Sequence, residues 1–159
     1  VDIVRQGKAL YVGISRWPLE ALKKAKEYLS AHDVPLLIYQ GRINMIDRAP
    51  IEEGILDYCA DNGIGFISFS PLAQGLLTDK YLNGIPEGSR MTHSVHLTAD
   101  RLTPELVQTL RQMAEEARQE GHPLADKALK WVLGQRGVTS VLVGVSKVEQ
   151  LKRNIETVL

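Results

Sequence analysis

This 159-residue sequence has a single cysteine, no excess of charge of one sign and no long hydrophobic run. The single cysteine, Cys59, excludes an internal disulfide and a cysteine zinc cluster, which suits a reducing compartment and predicts a buried thiol. Nineteen basic and nineteen acidic side chains give zero formal net charge, so no global field favours nucleic acid or an anionic membrane. The apolar runs are far shorter than the roughly 20 residues that span a bilayer, and residues 1–5 lack the layout of a signal peptide. We therefore expect a cytoplasmic protein with no nucleic-acid and no membrane partner.

Four short apolar runs, each leading into a small polar residue, form the main pattern of the sequence. They cover residues 9–14, 35–39, 65–69 and 141–145, and the polar residues that follow are Ser15, Gln40, Ser70 and Ser146. Runs with almost no polar alternation are typical of strands buried on both faces of a parallel sheet. Because ligands of such sheets bind where the strands end, these polar residues are the first candidates for a site.

Helix signals alternate with the apolar runs. Proline or threonine at helix starts and glycine at helix ends predict the boundaries. The predicted helices cover residues 18–31, 50–62, 104–120, 124–135 and 147–159, with a short helical segment at 73–82 and a long loop at 84–102. With 44% apolar residues, the chain can form one core, so we expect a single α/β domain over residues 1–159.

The strand-to-helix junctions resemble one protein family, segment by segment and in order. The segments are GKALYVGISRW at 7–17, Gln40 with Asn44 and Arg48, FSPLAQGLLTDKY at 69–81, and GVSKVEQLKRN at 144–154. They are similar to the C-terminal half of the aldo-keto reductases, in particular to the branch of glyceraldehyde 3-phosphate reductase-like enzymes and voltage-gated potassium channel beta subunits. The resemblance implies a partial (β/α)8 TIM barrel, about four β/α units corresponding to strands 5 to 8. It also implies NADP(H) as coenzyme, and reduction of aldehydes or ketones by a full barrel.

The resemblance further implies which residues form one wall of the coenzyme site. Ser15 and Gln40 match the residues that bind the carboxamide, and Phe69 matches the aromatic residue that stacks on the nicotinamide. The pyrophosphate would lie along Ser70, Leu72 and Gln74, with Lys80 and Arg90 in the segment that closes over it. Gly144, Ser146, Gln150 and Asn154 match the positions around the adenosine and its 2'-phosphate.

Two positions of this proposed coenzyme site differ from the residues that many family members have there. Arg16 stands where many members have asparagine, and the channel beta-subunit branch has the same Arg-Trp pair there. Gln150 occupies a position where many members place an arginine against the 2'-phosphate, and Arg153 is the candidate to supply that charge. The resemblance still implies a preference for NADP over NAD.

Each candidate also has a purely structural interpretation. Ser15, Ser70 and Ser146 are suited to cap the helices after their strands. Gln40 is suited to satisfy backbone groups at a strand end, Phe69 is suited to the core, and Lys80, Arg90 and Arg153 are suited to be solvated surface charges. His93 and His96 have a spacing seen in some metal sites, but no third ligand is near them in sequence, so no metal site is expected.

The resemblance also implies that catalysis depends on residues outside the matched segments. In the family the hydride-transfer chemistry depends on an Asp, Tyr, Lys and His from the first four strands, with the tyrosine as general acid. No such tetrad can be assigned here. Little or no turnover is therefore expected from this chain alone. The alternative is a non-catalytic nicotinamide-nucleotide-binding or protein-interaction module, similar in role to a potassium channel beta subunit.

Four β/α units are half of what a closed barrel of about 250 residues requires. Such a sheet would leave two unpaired edges and an apolar face open to water. A partner must then cover them: a second copy of the chain, forming a homodimer across a twofold axis, or a missing N-terminal half. We favour the homo-oligomer at this point.

Overall fold

A computed structural model describes residues 1–95 and 97–159. Its four strands are β1 (Val12–Ser15), β2 (Leu36–Arg42), β3 (Gly65–Phe69) and β4 (Val138–Leu142). Its helices are α1 (Asp2–Arg5), α2 (Leu19–Ser30), α3 (Ala49–Glu52), α4 (Ile55–Asp61), α5 (Pro104–Gln119), α6 (Leu124–Leu133) and α7 (Val148–Val158). The strands form one parallel sheet in the order β1-β2-β3-β4. The predicted α/β architecture of four strand-helix units is confirmed.

The register of the sheet separates two faces. Ile14, Tyr39 and Phe66 form one row across β1, β2 and β3, and all three belong to a core shared with the helices. The next row, Ser15, Gln40, Ile67 and Ser140, lies on the opposite face because successive side chains alternate along a strand. None of the side chains in this row is fully buried. We call this side of the sheet the open face.

The helix-side core is dense at the centre of the sheet. Phe66 is 0% exposed and stacks on Tyr39 with 5.5 Å between ring centroids. A side chain at Gly41 would place its Cβ 2.6 Å from a Phe66 ring carbon, so only glycine fits beside these rings. Leu22 of α2 and Cys59 of α4 close this core and are both 0% exposed, as predicted for Cys59.

A second core lies under the long segment that follows β3. It holds Leu77, Tyr81, Leu110 of α5 and Leu124 of α6, all fully buried. Trp131 of α6 packs against both cores and therefore joins them. Thr103 begins α5 as predicted, since its hydroxyl accepts a hydrogen bond of 3.3 Å from the Leu106 amide.

Several predicted boundaries are wrong, for local reasons. The helix expected at 50–62 is two short helices, α3 and α4, because Gly54 takes a left-handed conformation (φ 74°) between them. The segment 73–82 forms two 3-10 turns, Ala73–Gly75 and Asp79–Tyr81, rather than an α-helix. Gln40 lies within β2 rather than after it, since this strand continues to Arg42. Helix α1 was not predicted.

The longest described helix, α5, has 16 residues. Within residues 1–95 and 97–159, none of the helices combines the length and apolar character needed to cross a bilayer. His93 is exposed, and His96, the other histidine of the considered metal pair, lies outside the described residues.

The helix-side core predicts a loss of stability at alkaline pH. Burial raises the pKa of Cys59 to about 11 and, together with the nearby Cys59 thiol, raises the pKa of Tyr39 to about 12. Both groups hold their protons more tightly in the fold than in the unfolded chain, where they titrate near 9.0 and 10.0. Stability should therefore fall as the pH rises above about 9, by up to about 1.4 kcal/mol per pH unit for each group.

Urea midpoints measured between pH 8 and pH 11 test this loss of stability. The Cys59→Ala variant lacks the thiol and should show a smaller decline in the first part of this range. A midpoint independent of pH over this range would contradict the prediction.

Candidate functional site

Ser15 and Gln40 lie side by side at the carboxyl edge of the open face. They are partners in the register of β1 and β2, and the Arg16 amide donates to the Gln40 carbonyl at 3.0 Å. Among the described residues, neither the Ser15 hydroxyl nor the Gln40 side-chain amide has a hydrogen-bond partner. A hydroxyl and an amide together offer donors and acceptors that match a ligand carboxamide.

Phe69 lies on the same face, two rows closer to the carboxyl edge. It is in register with Arg42 of β2 and Leu142 of β4, and its ring is only half-buried. An aromatic ring in this place offers a flat apolar surface next to the Ser15 and Gln40 row.

The loop after β3 carries unusual backbone strain. Ser70, Ala73 and Gln74 have φ values of 52°, 46° and 60°, in the left-handed region that favours glycine. Arg16, after β1, has a φ of 60°, so four of the five such non-glycine residues in the described part of the chain follow a strand of the site. Conformations of this kind cost on the order of 1–3 kcal/mol each and cluster at functional sites.

Asn44 holds the strained loop in place. Its side chain is 1% exposed, donates from Nδ2 to the Ser70 carbonyl at 3.1 Å, and accepts from the Ile46 amide at 3.1 Å. Asn44 is therefore a positioning residue that ties the turn after β2 to the loop after β3. The sequence gives a partial signal for it, since it is a polar residue close behind a predicted strand.

The two predicted phosphate-binding cations, Lys80 and Arg90, are both exposed. Each is next to a buried hydroxyl group, that of Tyr81 and that of Ser89 respectively, which has no hydrogen-bond partner among the described residues. Buried hydroxyls usually have a partner, so this segment retains unused hydrogen-bonding capacity. Leu72 of the same region is half-buried and packs against the second core.

The residues predicted to hold the adenosine end already have local partners. The Gln150 side-chain oxygen accepts from the Ser146 amide at 2.9 Å, from the Ser146 hydroxyl at 3.2 Å and from the Lys147 amide at 3.2 Å. Arg153 donates to Asp126 of α6 at 3.1 Å. Gln150 thus closes the first turn of α7, and the Arg153 charge is balanced by Asp126. Asn154 is half-buried, and a Cβ at Gly144 would meet no atom within 4 Å.

The capping interpretation separates the three serines. Helix α2, the first after β1, has Pro18 as its N-cap residue and no side-chain cap, so Ser15 caps no helix. The 3-10 turn Ala73–Gly75 after β3 has Leu72 at its N-cap, and the Ser70 hydroxyl makes no cap there. Only Ser146 takes part in a helix start, through its hydrogen bonds to Gln150.

A groove of about 420 Å³ also lies between α6 and α7. Its lining mixes acidic and basic side chains, among them the Arg153–Asp126 ion pair. The groove carries no excess of unpaired charge that would select a ligand, and the strand-end residues described above do not line it.

Comparisons with known proteins point to one family. The sequence profile of the Aldo/keto reductase family matches residues 1–159. Two Escherichia coli proteins named L-glyceraldehyde 3-phosphate reductase are 48% and 46% identical over 157 residues, covering 96% of this chain and 45% of their own length. A Schizosaccharomyces pombe protein with the provisional name of a voltage-gated potassium channel beta subunit is 32% identical, covering 99% of this chain and 47% of its own.

A solved structure shows the same fold. The crystal structure of a thermostable aldo-keto reductase in complex with the inhibitor epalrestat is similar with a TM-score of 0.69 and 25% identity. The match covers 99% of this chain and 46% of that chain. This chain therefore spans about half the length of the relatives that it matches, and its four strands correspond to about half of such a barrel.

Proposed function

Because the chain belongs to the aldo/keto reductase family, we propose that its strand ends form one wall of an NADP(H) site in an enzyme that reduces aldehydes or ketones. The observation that carries the proposal is the pairing of Ser15 with Gln40 in one register row, with Phe69 two rows beyond on the same face. The unpartnered hydroxyl and amide beside an aromatic ring fit a nicotinamide and its carboxamide.

We assign the remaining residues from the family resemblance. The strained loop at Ser70 and Gln74, with Leu72 between them, would line the pyrophosphate, and Lys80 and Arg90 would neutralise its charge. Gly144, Ser146 and Asn154 would contact the adenosine. Gln150 uses its side-chain oxygen to close the first turn of α7, and Arg153 contacts Asp126 through Nε. The Gln150 amide nitrogen and the remaining Arg153 donors would therefore be available to a 2'-phosphate.

The domain is proposed to be the C-terminal half of a barrel, in one unit over residues 1–159. The coenzyme, when bound, supplies the hydride for carbonyl reduction, and this chain binds and orients it. No residue of the chain is proposed as the proton donor, because the Asp-Tyr-Lys-His tetrad cannot be assigned in it. We expect little or no turnover from the chain alone, whereas NADPH binding does not require the tetrad.

A further four-stranded unit is proposed to complete the barrel. Helix α7 carries an apolar stripe of Val148, Leu151, Ile155 and Val158, whose side chains are 43–64% exposed. These residues recur at helical spacing on one face, which is the pattern of a helix face that packs against a neighbour. The stripe and the free edges of β1 and β4 would be covered by a second copy of the chain or by the other half of a longer chain.

The substrate class is proposed from the E. coli relatives, whose names specify a phosphorylated aldehyde. At 46–48% identity over 157 residues, a small aldehyde of this kind is the best-supported substrate for the complete enzyme. The relative with the channel-subunit name favours the second candidate, a non-catalytic nicotinamide-nucleotide-binding or protein-interaction module similar in role to such a subunit, at the lower identity of 32%.

An NADPH fluorescence titration of the 159-residue chain, with NADH for comparison, tests the coenzyme site. Gln40→Ala should weaken NADPH binding roughly tenfold, because it removes the amide that would bind the carboxamide. Gln108→Ala is the matched control, since Gln108 is an exposed glutamine on α5 and should leave the affinity unchanged.

Two outcomes of this titration would contradict the proposal. A folded chain that shows no saturable binding of NADPH has no assembled coenzyme wall. Equal affinities for the Gln40→Ala and Gln108→Ala variants would remove Gln40 from the site. The solution mass of the same sample separates the two barrel partners: twice 17.7 kDa indicates a second copy, and 17.7 kDa favours the other half of a longer chain.

A further inference from the structure

A small cavity of about 70 Å³ lies at the carboxyl end of β2 and β3. Three segments form its wall: the end of β2 with the turn after it, the strained loop after β3, and the region of Leu97 and Arg101. The polar and charged groups that line it are Arg42, Asn44, Asp47, Ser70, Gln74 and Arg101. Ser70 and Gln74 belong to the predicted coenzyme site, whereas neither arginine was predicted as a ligand.

One wall of the cavity is rigidly held. The Arg42 Nε lies 2.5 Å from the Asp47 Oδ2, and Asn44 joins this turn to the Ser70 carbonyl. The backbones of Asn44 and Asp47 are also hydrogen-bonded to each other, at 2.9 and 3.2 Å. Arg42 thus lies on the open face in the row of Phe69, paired with Asp47.

The charge of the cavity is unbalanced. Among the described residues, Asp47 is the one acidic residue of the lining against two arginines, and it contacts Arg42. A guanidinium has five N–H donors, more than one carboxylate contact uses, so Arg42 retains donors for a further anion. Arg101 is exposed and makes no ion pair or hydrogen bond through its side chain with any residue of the described part of the chain.

We propose that Arg42 and Arg101 form an anion subsite that binds a phosphoryl group at the edge of the coenzyme wall. Arginine suits this ligand because its planar fork forms paired hydrogen bonds to phosphate oxygens. The cavity has room for one small group, not for a whole substrate. The phosphoryl group belongs either to the coenzyme or to a small phosphorylated aldehyde, and the inference rests on the proposed function for this choice of ligands.

Calorimetric titration of the 159-residue chain with two probes, NADPH and glycerol 3-phosphate, tests the subsite. Glycerol is the uncharged control for the second probe. Arg101→Gln should weaken binding of at least one probe about tenfold or more, because it removes a charged hydrogen-bond donor. Arg5→Gln removes the same charge from an exposed residue of α1 and should have no effect. Arg42→Gln is the second variant, and urea unfolding of each variant checks that it is folded.

The two probes identify the source of the phosphate. Loss confined to glycerol 3-phosphate assigns the subsite to the substrate, and loss confined to NADPH assigns it to the coenzyme; both support the proposal. If folded Arg101→Gln and Arg42→Gln bind both probes as the wild type does, the subsite is wrong while the coenzyme wall stands. If the wild type binds glycerol 3-phosphate, loses that binding in Arg101→Gln and does not bind NADPH, the subsite stands and the proposed coenzyme role fails. If the wild type binds neither probe, both proposals fail.

Discussion

Phe66→Ala is expected to lower the free energy of unfolding by about 3–5 kcal/mol. Phe66 is 0% exposed, stacks on Tyr39 and fills the space that Gly41 leaves open, so alanine would leave a cavity on the helix side of the sheet. Urea unfolding monitored by circular dichroism measures the change as a lower midpoint. The slope of the transition should stay constant if only stability has changed.

Phe69→Ala is the natural control for this experiment. Both residues are phenylalanines of β3, three positions apart and on opposite faces of the sheet. Because Phe69 is only half-buried, its loss should cost clearly less stability than the loss of Phe66. Equal costs for the two variants would contradict the assignment of the faces, since that assignment places only Phe66 inside the core.

The same Phe69→Ala variant is expected to give the largest loss of coenzyme affinity. Removal of an aromatic ring that stacks on a flat heterocycle costs about 1–3 kcal/mol, which corresponds to a roughly 5- to 150-fold higher Kd for NADPH. Phe69→Tyr keeps the ring and should retain most of the affinity. The measurement is the NADPH fluorescence titration, at a temperature where urea midpoints show every variant to be folded.

The result that would remove Phe69 from the site is a folded Phe69→Ala variant with wild-type affinity. A weaker affinity in Phe66→Ala under the same conditions would indicate that general loosening of the sheet disturbs the site. The two phenylalanines thus separate stability from binding within one strand: the first should change the urea midpoint, and the second should change the Kd.

Sequence patterns predicted that four strands exist because the apolar runs are local and strong, but not all of their bounds. The runs at 9–14 and 141–145 overlap β1 (Val12–Ser15) and β4 (Val138–Leu142) only in part. Residues 65–69 are β3 without any shift, and α5 begins one residue after its predicted threonine cap. The predictions fail where the backbone conformation of one or two residues interrupts a helix. Gly54 divides one predicted helix into two, and the left-handed residues Ala73 and Gln74 prevent a regular helix after β3.

The family resemblance identified which residues match coenzyme-binding positions, but not the contacts that their side chains make in the fold. Gln150 and Arg153 match coenzyme-binding positions in sequence, yet one closes the start of α7 and the other is paired with Asp126. The first contact joins residues three and four positions apart at the start of α7, and the second joins α6 to α7. No motif at 144–154 contains Asp126, so the motif alone does not predict the ion pair.

The sequence by itself determined the family, the alternation of strands and helices, and the set of polar residues at the strand ends. These properties depend on residue type and on spacing within short segments, which the sequence displays directly. Only the tertiary structure decided that Ser15 is in register with Gln40, that Asn44 fixes the loop at Ser70, and that Arg42 and Arg101 line one cavity. The physical reason is that strand register and loop packing are set by hydrogen bonds and contacts between distant segments, which no local pattern specifies.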